Sequence, residues 1–487
     1  MRKLKYRILA VFLTVICVLS ATACAANPED KEFEEYGGST TTPTTVPTVT
    51  PGEQEHKEMK EETGEEKGLL KTENTEQLTK AVYPEMAKYP ETDGIRYDED
   101  AYKAWRASRD NQHPDNLEYQ NGIRDFYEIT MQEFLKDTDG KNRVYSPLNV
   151  YMALAMLAET VDGESRQQIL NLLHTESIET LRNNASILWN ANYCDDGTVT
   201  SLLASSAWLS DEINYNMETL RTLAEYYYTS SYRGKMGTEE YNQMLRDWLN
   251  EQTGNLLKDQ AANIELDPEA VLALATTVYF RAKWSNEFNE ENNTEEVFHA
   301  VTGDVKTEFM HQSNSNTYYW GENFGAISRN LDNSGQMLLI LPDEDVTAEE
   351  LLTDKEVLDF IYEHYSWENQ KFLIVNQSIP KFDVVSDYSL IPGLKNLGVT
   401  DVFSFEKADF TPLTTDTEVA VTGATHAARV MIDEEGCIAA AFTVMVACGA
   451  ARPPEEQVDF VLDRPFLFVI NGQDGQPLFV GIVNQPN

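Results

Sequence analysis

The chain has 487 residues, a formal net charge of −43, 41% hydrophobic and 10% aromatic residues. That length and apolar content allow a sizeable core, in one large or two to three ordinary domains. The excess of carboxylates is an unfavourable field for phosphate backbones and anionic lipid surfaces, so no nucleic-acid partner is expected.

The N-terminus reads as a signal peptide over residues 1–24. Arg2, Lys3, Lys5 and Arg7 precede an apolar run at 8–19, followed by Ser20, Ala21, Thr22 and Ala23. The run is short for a membrane-spanning helix, so removal is expected rather than anchoring by the helix itself. Cys24 after Ala23 resembles the lipid-acceptor Cys of bacterial lipoproteins, although Ala21 stands where that motif prefers Leu. Ordinary cleavage after Ala23 or Ala25 is the alternative. The chain is therefore expected to be exported, as a cell-envelope lipoprotein or a secreted, extracellular protein, and to meet a membrane only through a lipid anchor.

Residues 25–79 read as a disordered, acidic, Thr/Pro-rich tether, since 37–52 have almost nothing to bury and 53–67 are a charged run. Aromatics return at Tyr83, Tyr89, Tyr97, Tyr102 and Trp105, so 80–117 read as an extension on the body, with no legible role. Of the five cysteines, Cys17 and Cys24 belong to the leader. Cys194, Cys437 and Cys448 are an odd set without zinc spacing, expected as buried or loop thiols.

The body is expected at 118–487. Residues 124–135 carry Phe126, Ile129, Met131 and Phe134 on a helical spacing. Ser146 is a natural N-cap and Pro147 a natural first helical residue, with Gly163 placed to stop the helix; its apolar surface all round predicts an interior position. Residues 272–284, apolar and β-branched, predict a buried strand. Residues 460–470 and 477–484, joined through Gly472 and Gly475, predict a buried hairpin.

Between these lies 433–446. An acidic turn, Asp433-Glu434-Glu435-Gly436, opens a run without charge until Arg452. As a strand, it places Cys437, Ala439, Ala441 and Thr443 on one face and Ile438, Ala440, Phe442 and Val444 on the other. An ordinary buried strand or a short Ala-rich helix is the plain alternative.

The order acidic residue, Gly, small residue, alanines resembles the hinge and reactive centre loop of the serpins, and the final hairpin resembles that family's closing strands. The Ser146-Pro147 helix looks like the central serpin helix, and residues 245–254 like the helix that crosses the main sheet. Phe280-Arg281-Ala282-Lys283-Trp284 is similar to the family's Phe-Lys-Gly-x-Trp, and Phe309-Met310-His311-Gln312 and Ile379-Pro380-Lys381-Phe382 continue the match in order. The resemblance, to an exported bacterial serpin, implies an α+β serpin fold: three β-sheets, about eight to nine helices and an exposed reactive centre loop. It assigns Glu434, Gly436, Cys437, Ile438, Ala439, Ala440, Ala441 and Thr443 to the hinge. It assigns Ser146, Asn149, Thr276 and His426 to the region beneath the opening sheet, with Asn149 where Ser is commoner and Thr276 where many members have Asn.

The function so implied is suicide-type inhibition of serine proteases, by loop cleavage and insertion into the main sheet, by a monomer that needs no cofactor and is not an enzyme. Counting from Gly436 puts the reactive bond near Ala450 and Ala451, which suits an elastase-like or subtilisin-like target. Counting back from Pro465 moves it toward Pro454 and Glu455, while Arg452 would invite a trypsin-like enzyme but for Pro453. A papain-like cysteine protease cutting near Ala447-Cys448, or a non-inhibitory serpin acting as a surface binding module, are the alternatives. A hydrolase reading has no support: there is no Gly-x-Ser-x-Gly elbow, His-Glu-x-x-His or phosphate loop, and His56, His113, His174, His299, His311, His364 and His426 are scattered without metal spacing.

Overall fold

The computed structural model describes residues 9–19, 74–84, 86–90, 98–112, 120, 122–437 and 454–486, with the backbone alone at 9–19 and 437. Most of the tether, Cys24 and residues 438–453 lie outside them. The strands in chain order begin with β1 (Leu9–Leu19), β2 (Thr75–Thr79), β3 (Arg143–Tyr145), β4 (Cys194–Asp195), β5 (Thr200–Ser210), β6 (Thr229–Gly234) and β7 (Ala270–Lys283). Next come β8 (Thr294–Ala300), β9 (Gly303–Trp320), β10 (Phe324–Asn330), β11 (Gln336–Pro342), β12 (Gln370–Pro380) and β13 (Phe382–Ser389). The last are β14 (Val419–Ile432), β15 (Gly436–Cys437), β16 (Gln457–Val461), β17 (Phe466–Asn471) and β18 (Pro477–Val483).

The main sheet runs β13-β14-β1-β7-β5-β6-β2, with β4 added to β5 and β15 to β7. The second ladder runs β16-β12-β9-β10-β11-β17-β18-β3, with β8 added to β9. The three expected sheets are present as two ladders because β9, 18 residues long, belongs to both smaller ones: residues 303–309 pair with β8, 309–319 with β12, and 318–320 with β10. Eleven helices occur among the described residues, more than the eight to nine expected, and three of them span only four to six residues.

Helix α1 (Glu99–Gln112) lies in the extension, and α2 (Ile123–Phe134) opens the body with Phe126, Tyr127, Met131 and Phe134 buried. Helix α3 (Pro147–Thr160) is capped by Ser146, whose side chain accepts from the Asn149 amide, and all of its residues are buried, as its all-round apolar surface requires. Gly163 does not stop α3: the chain turns extended at Val161, and Gly163 opens α4 (Gly163–Leu172). Helix α5 (Ile178–Asn192) and α6 (Met217–Tyr226) follow, and α7 (Glu239–Gln252) lays Tyr241, Leu245 and Leu249 against Trp208, Ala273, Ala275 and Ala427 of the main sheet. The sheet is thus covered on both faces, by α3 and by α7.

The apolar run expected as a leader forms β1, parallel to both neighbours and in register with ten residues on each side. Strands β7 and β14 therefore do not pair with each other along this length. An uncharged segment rich in Val, Leu, Ile and Phe can satisfy two open edges at once, which is what an interior strand of a two-faced sheet needs. A leader acts before the body folds, so these residues serve as a strand only in a chain that retains them.

The tether also ends earlier than its composition suggests. Thr75–Thr79 form edge strand β2 on β6, with Thr75, Gln77 and Thr79 buried in alternation. Beyond it Tyr83 stacks at 5.5 Å on both Trp189 and Tyr193. The Trp105 indole donates to Asp196 Oδ2 at 2.8 Å, and Arg109 pairs with the same oxygen at 3.0 Å while also donating to the Asn333 carbonyl. Burial raises the Asp196 carboxyl, but donors from Val199, Trp105 and Thr198 and the Arg109 charge outweigh it and hold the group below the usual range. Beside it Cys194 is a buried free thiol, as expected, and desolvation pushes its pKa up to about 12, which disfavours the reactive thiolate. No group of His, Cys, Asp and Glu among the described residues could hold a metal, and no described helix is long and apolar enough to cross a membrane.

Replacing Trp105 by Ala removes a buried ring and an Asp196 donor. Amide exchange of residues 99–112 should then accelerate by at least tenfold while exchange in α3 and β7 is unchanged, because the extension is held to the body by this cluster. Hydrogen-exchange mass spectrometry reads the difference.

Candidate functional site

The hinge is built on a three-residue turn. After β14, the Asp433 carboxylate accepts from the amides of Glu435 at 3.0 Å and Gly436 at 3.2 Å, an Asx-type turn that reverses the chain. Gly436 sits at φ +128°, and a Cβ there would meet the Trp284 nitrogen at 2.5 Å, so only glycine fits. The next step, β15, pairs antiparallel with the end of β7, Gly436 opposite Lys283 and Cys437 opposite Ala282. Strand β1 stops just short of it, with Leu19 opposite Phe280. The beginning of the loop and the end of β1 thus stand in succession along β7.

Two aromatic residues hold the hinge through its carbonyls. The Trp284 indole donates to Asp433 O at 2.9 Å, the Trp284 amide to Glu435 O at 3.0 Å and the Phe288 amide to Glu434 O at 2.9 Å. The Glu434 carboxylate pairs with Lys381 at 2.5 Å and accepts from Asn293, and Lys381 also reaches Glu308 at 3.1 Å. Burial works against the Lys381 charge, but its hydrogen bonds to Glu434 and Glu308 outweigh it and raise its pKa. Between the two rings lies Arg329, its guanidinium 4.0 Å from the Phe288 centroid and 4.9 Å from that of Trp284. It is 5% exposed and donates to Gln377 Oε1 at 2.6 Å, Gln312 Oε1 at 3.0 Å and the Asn286 carbonyl at 2.6 Å, none of them a carboxylate. Burial lowers it to about 9, so it is still a cation at neutral pH.

Lower in the sheet, Thr276 on β7 and His426 on β14 face each other across β1, both in register with Val15. The Ser146 amide donates to His426 Nε2 at 3.3 Å, and Asn149 Nδ2 donates to the Thr276 carbonyl at 3.4 Å. The His426 ring is flanked by Tyr145 and Tyr388, and complete burial drives its pKa down to about 3. His426 Nδ1 and Thr276 Oγ1 have no partner among the described residues. The four residues assigned to this region by sequence are therefore brought together, at the head of α3 and under the lane taken by β1.

Of the hinge residues, Glu434 and Gly436 and the backbone of Cys437 are placed as described. Ile438, Ala439, Ala440, Ala441 and Thr443 lie outside the described residues, as do Ala450, Ala451 and Arg452. Pro454 and exposed Glu455 sit at the foot of β16, which pairs parallel with β12, and Glu456 pairs with Lys371 at 2.6 Å. Trp284, Phe288, Asn293, Lys381 and Arg329 were not assigned a role by sequence. Trp284 and Lys381 fall inside recognised motifs, which was the one available signal; nothing marks Arg329.

A family model described as Serpin (serine protease inhibitor) matches residues 122–486. The chain is 27% identical to human leukocyte elastase inhibitor over 356 residues, 71% of this chain and 93% of that protein. It is 27% identical to alpha-1-antitrypsin of Meriones unguiculatus over 388 residues, 77% and 92% of the two chains. Among solved structures, the thermophilic serpin tengpin in its native state superposes with a TM-score of 0.67 at 26% identity, covering 76% of this chain and 95% of that one. Thyroxine-binding globulin in complex with thyroxine superposes with a TM-score of 0.64 at 20% identity, covering 75% and 98%, a likeness of fold. The extension at 74–112 lies outside the residues matched by the family model.

Two outcomes follow from this geometry. His426 is neutral when folded and titrates near 6.5 when unfolded, so its contribution to stability is full above pH 6.5 and is lost as pH falls toward 3, with a slope of about 1.4 kcal/mol per pH unit. Denaturant midpoints of wild type and His426→Gln between pH 7 and pH 4 should differ by about one proton in slope, the variant being flatter. Gly436→Ala should cost at least about 2 kcal/mol through the φ strain and the clash with Trp284, read as a lowered thermal midpoint with faster proteolysis at the hinge.

Proposed function

The chain belongs to the serpin family, and on that premise we propose that it is a suicide-type inhibitor of serine proteases. The observation that carries this reading is the strand-wide lane between β7 and β14, with Gly436 and Cys437 already entering beside the end of β7. A protease attacks the loop at 438–453 and forms its acyl-enzyme. The freed end then continues from Cys437 down β7, antiparallel to it, and carries the enzyme with it. In the exported chain the leader is removed, as a lipoprotein or by ordinary cleavage, and the lane receives the loop instead of β1. Strand addition to a sheet edge supplies main-chain hydrogen bonds, and small neutral residues at Cys437, Ala439 and Ala441 avoid burying an unpaired charge.

Relatives named as an elastase inhibitor and an antitrypsin support a protease as the partner. Ala450 and Ala451 are the residues we assign to the reactive bond, for an elastase-like or subtilisin-like enzyme. The Ala-rich hinge favours inhibition over the surface-module reading, for which a charged or bulky hinge would be needed.

Incubation of residues 74–487 with elastase-like, subtilisin-like, trypsin-like and papain-like proteases should give a band at the summed mass on denaturing gels with one of the first two, and the released C-terminal peptide should begin at Ala451. Cleavage by all four without a complex, and without a rise in thermal midpoint after the cut, would replace this reading by the binding module. In Ala439→Arg, the loop should be cut at the same bond while the complex is lost; persistence of the complex would remove the insertion argument.

A further inference from the structure

The buried cation between Trp284 and Phe288 is unexplained by anything above. Among the described residues Arg329 has no carboxylate partner and its Nε no hydrogen-bond partner, and it is almost entirely out of water. Burying a charge without a counter-charge is costly, and an apolar residue of the same length would fill the space without that penalty. Its surroundings show what the charge organises. Gln312 lies on β9 and Gln377 on β12, so two of its three anchors belong to the second ladder. Its two ring contacts are the residues that supply the three hydrogen bonds to the Asp433–Glu435 carbonyls, two from the main-chain amides of Trp284 and Phe288 and one from the Trp284 indole.

We propose that Arg329 is a positioning residue for loop insertion: it braces Trp284 and Phe288 against the second ladder, so that the hinge holds Gly436 and Cys437 on β7 as a preformed first rung. The inference rests on the inhibitory reading above. Insertion is a zipping process, and its slow part is fixing the first pairs before later ones reward the ordering cost. A hinge held in register starts that process without delay. A cation over an aromatic face suits this task because the attraction is directed at both rings at once, and the planar fork leaves its donors free for the two glutamines and the Asn286 carbonyl. After the acyl-enzyme forms, insertion competes with hydrolysis of the acyl bond, so a slower first rung converts inhibitor into substrate.

The test uses the chain from residue 74 with the protease that wild type traps, and measures the number of inhibitor molecules consumed per enzyme inactivated together with the second-order rate of loop attack. Arg329→Met keeps the length and removes the charge. It should raise consumption at least tenfold while the rate of attack changes less than twofold, and Arg329→Lys, which keeps a cation over the rings, should recover most of the loss. A structural role alone would lower the thermal midpoint of both variants and leave the partition unmoved. Gln377→Leu removes one anchor without touching the hinge and should raise consumption in the same direction, which keeps the inference open to refutation if Arg329→Met does not fold. Unchanged consumption in Arg329→Met, or in Gln377→Leu where Arg329→Met does not fold, overturns the role of Arg329 while leaving inhibition standing. Absence of a trapped complex from wild type itself overturns both.

Discussion

Two strands of the main sheet, β7 and β14, turn their open edges toward each other without pairing, and the rest of the molecule answers to that gap. Each edge is a row of amides and carbonyls that cannot remain unpaired between two covered faces. Here β1 fills the row from Leu9 to Leu19, and the loop hinge enters at the other end. The two segments approach from opposite poles, β1 parallel to β7 and β15 antiparallel, so the edge of β7 pairs in either direction. What fills it is decided by availability and side-chain size, since main-chain pairing is offered equally to any extended segment.

The polar groups are distributed in accordance with this. Around His426 they are sparse and neutral: a ring nitrogen, two backbone groups, an amide, with two atoms under the lane unpaired among the described residues. Neutral, under-satisfied groups can change partners when the strand above them changes, at a cost of about one hydrogen bond each. Around the hinge the groups are charged and closely tied, with Lys381 between Glu434 and Glu308 and Arg329 between two rings. In the proposed insertion, the site that holds the register uses such ties, and the site that lets a strand pass does not.

Much of this was legible in the residues. The Ser146-Pro147 cap and the apolar length after it gave an interior helix, and Gly436 marked the turn, because both rest on local rules of capping and φ. The four residues beneath the lane came from the family resemblance, since nothing in spacing joins Ser146 to His426 across 280 positions. Gly163 was misplaced because a glycine at positive φ serves the start of one helix as well as the end of another. Strand β2 was missed for a different reason: a few alternating polar and β-branched residues acquire meaning only against the edge of β6, which sequence composition does not reveal. Arg329 was invisible for the same reason, its partners being drawn from three distant segments.

Strand β9 belongs to two sheets, and that continuity has a mechanical side. The segment after the loop, β16, hangs on β12, which hangs on β9, and β9 leads directly through β10 and β11 to the closing pair β17 and β18. Tension applied at Pro454 is therefore borne in shear along a continuous row of ladders instead of peeling a short sheet from the surface. In the proposed insertion, the downstream end of the loop is the fixed jaw, and the displacement appears on the Cys437 side.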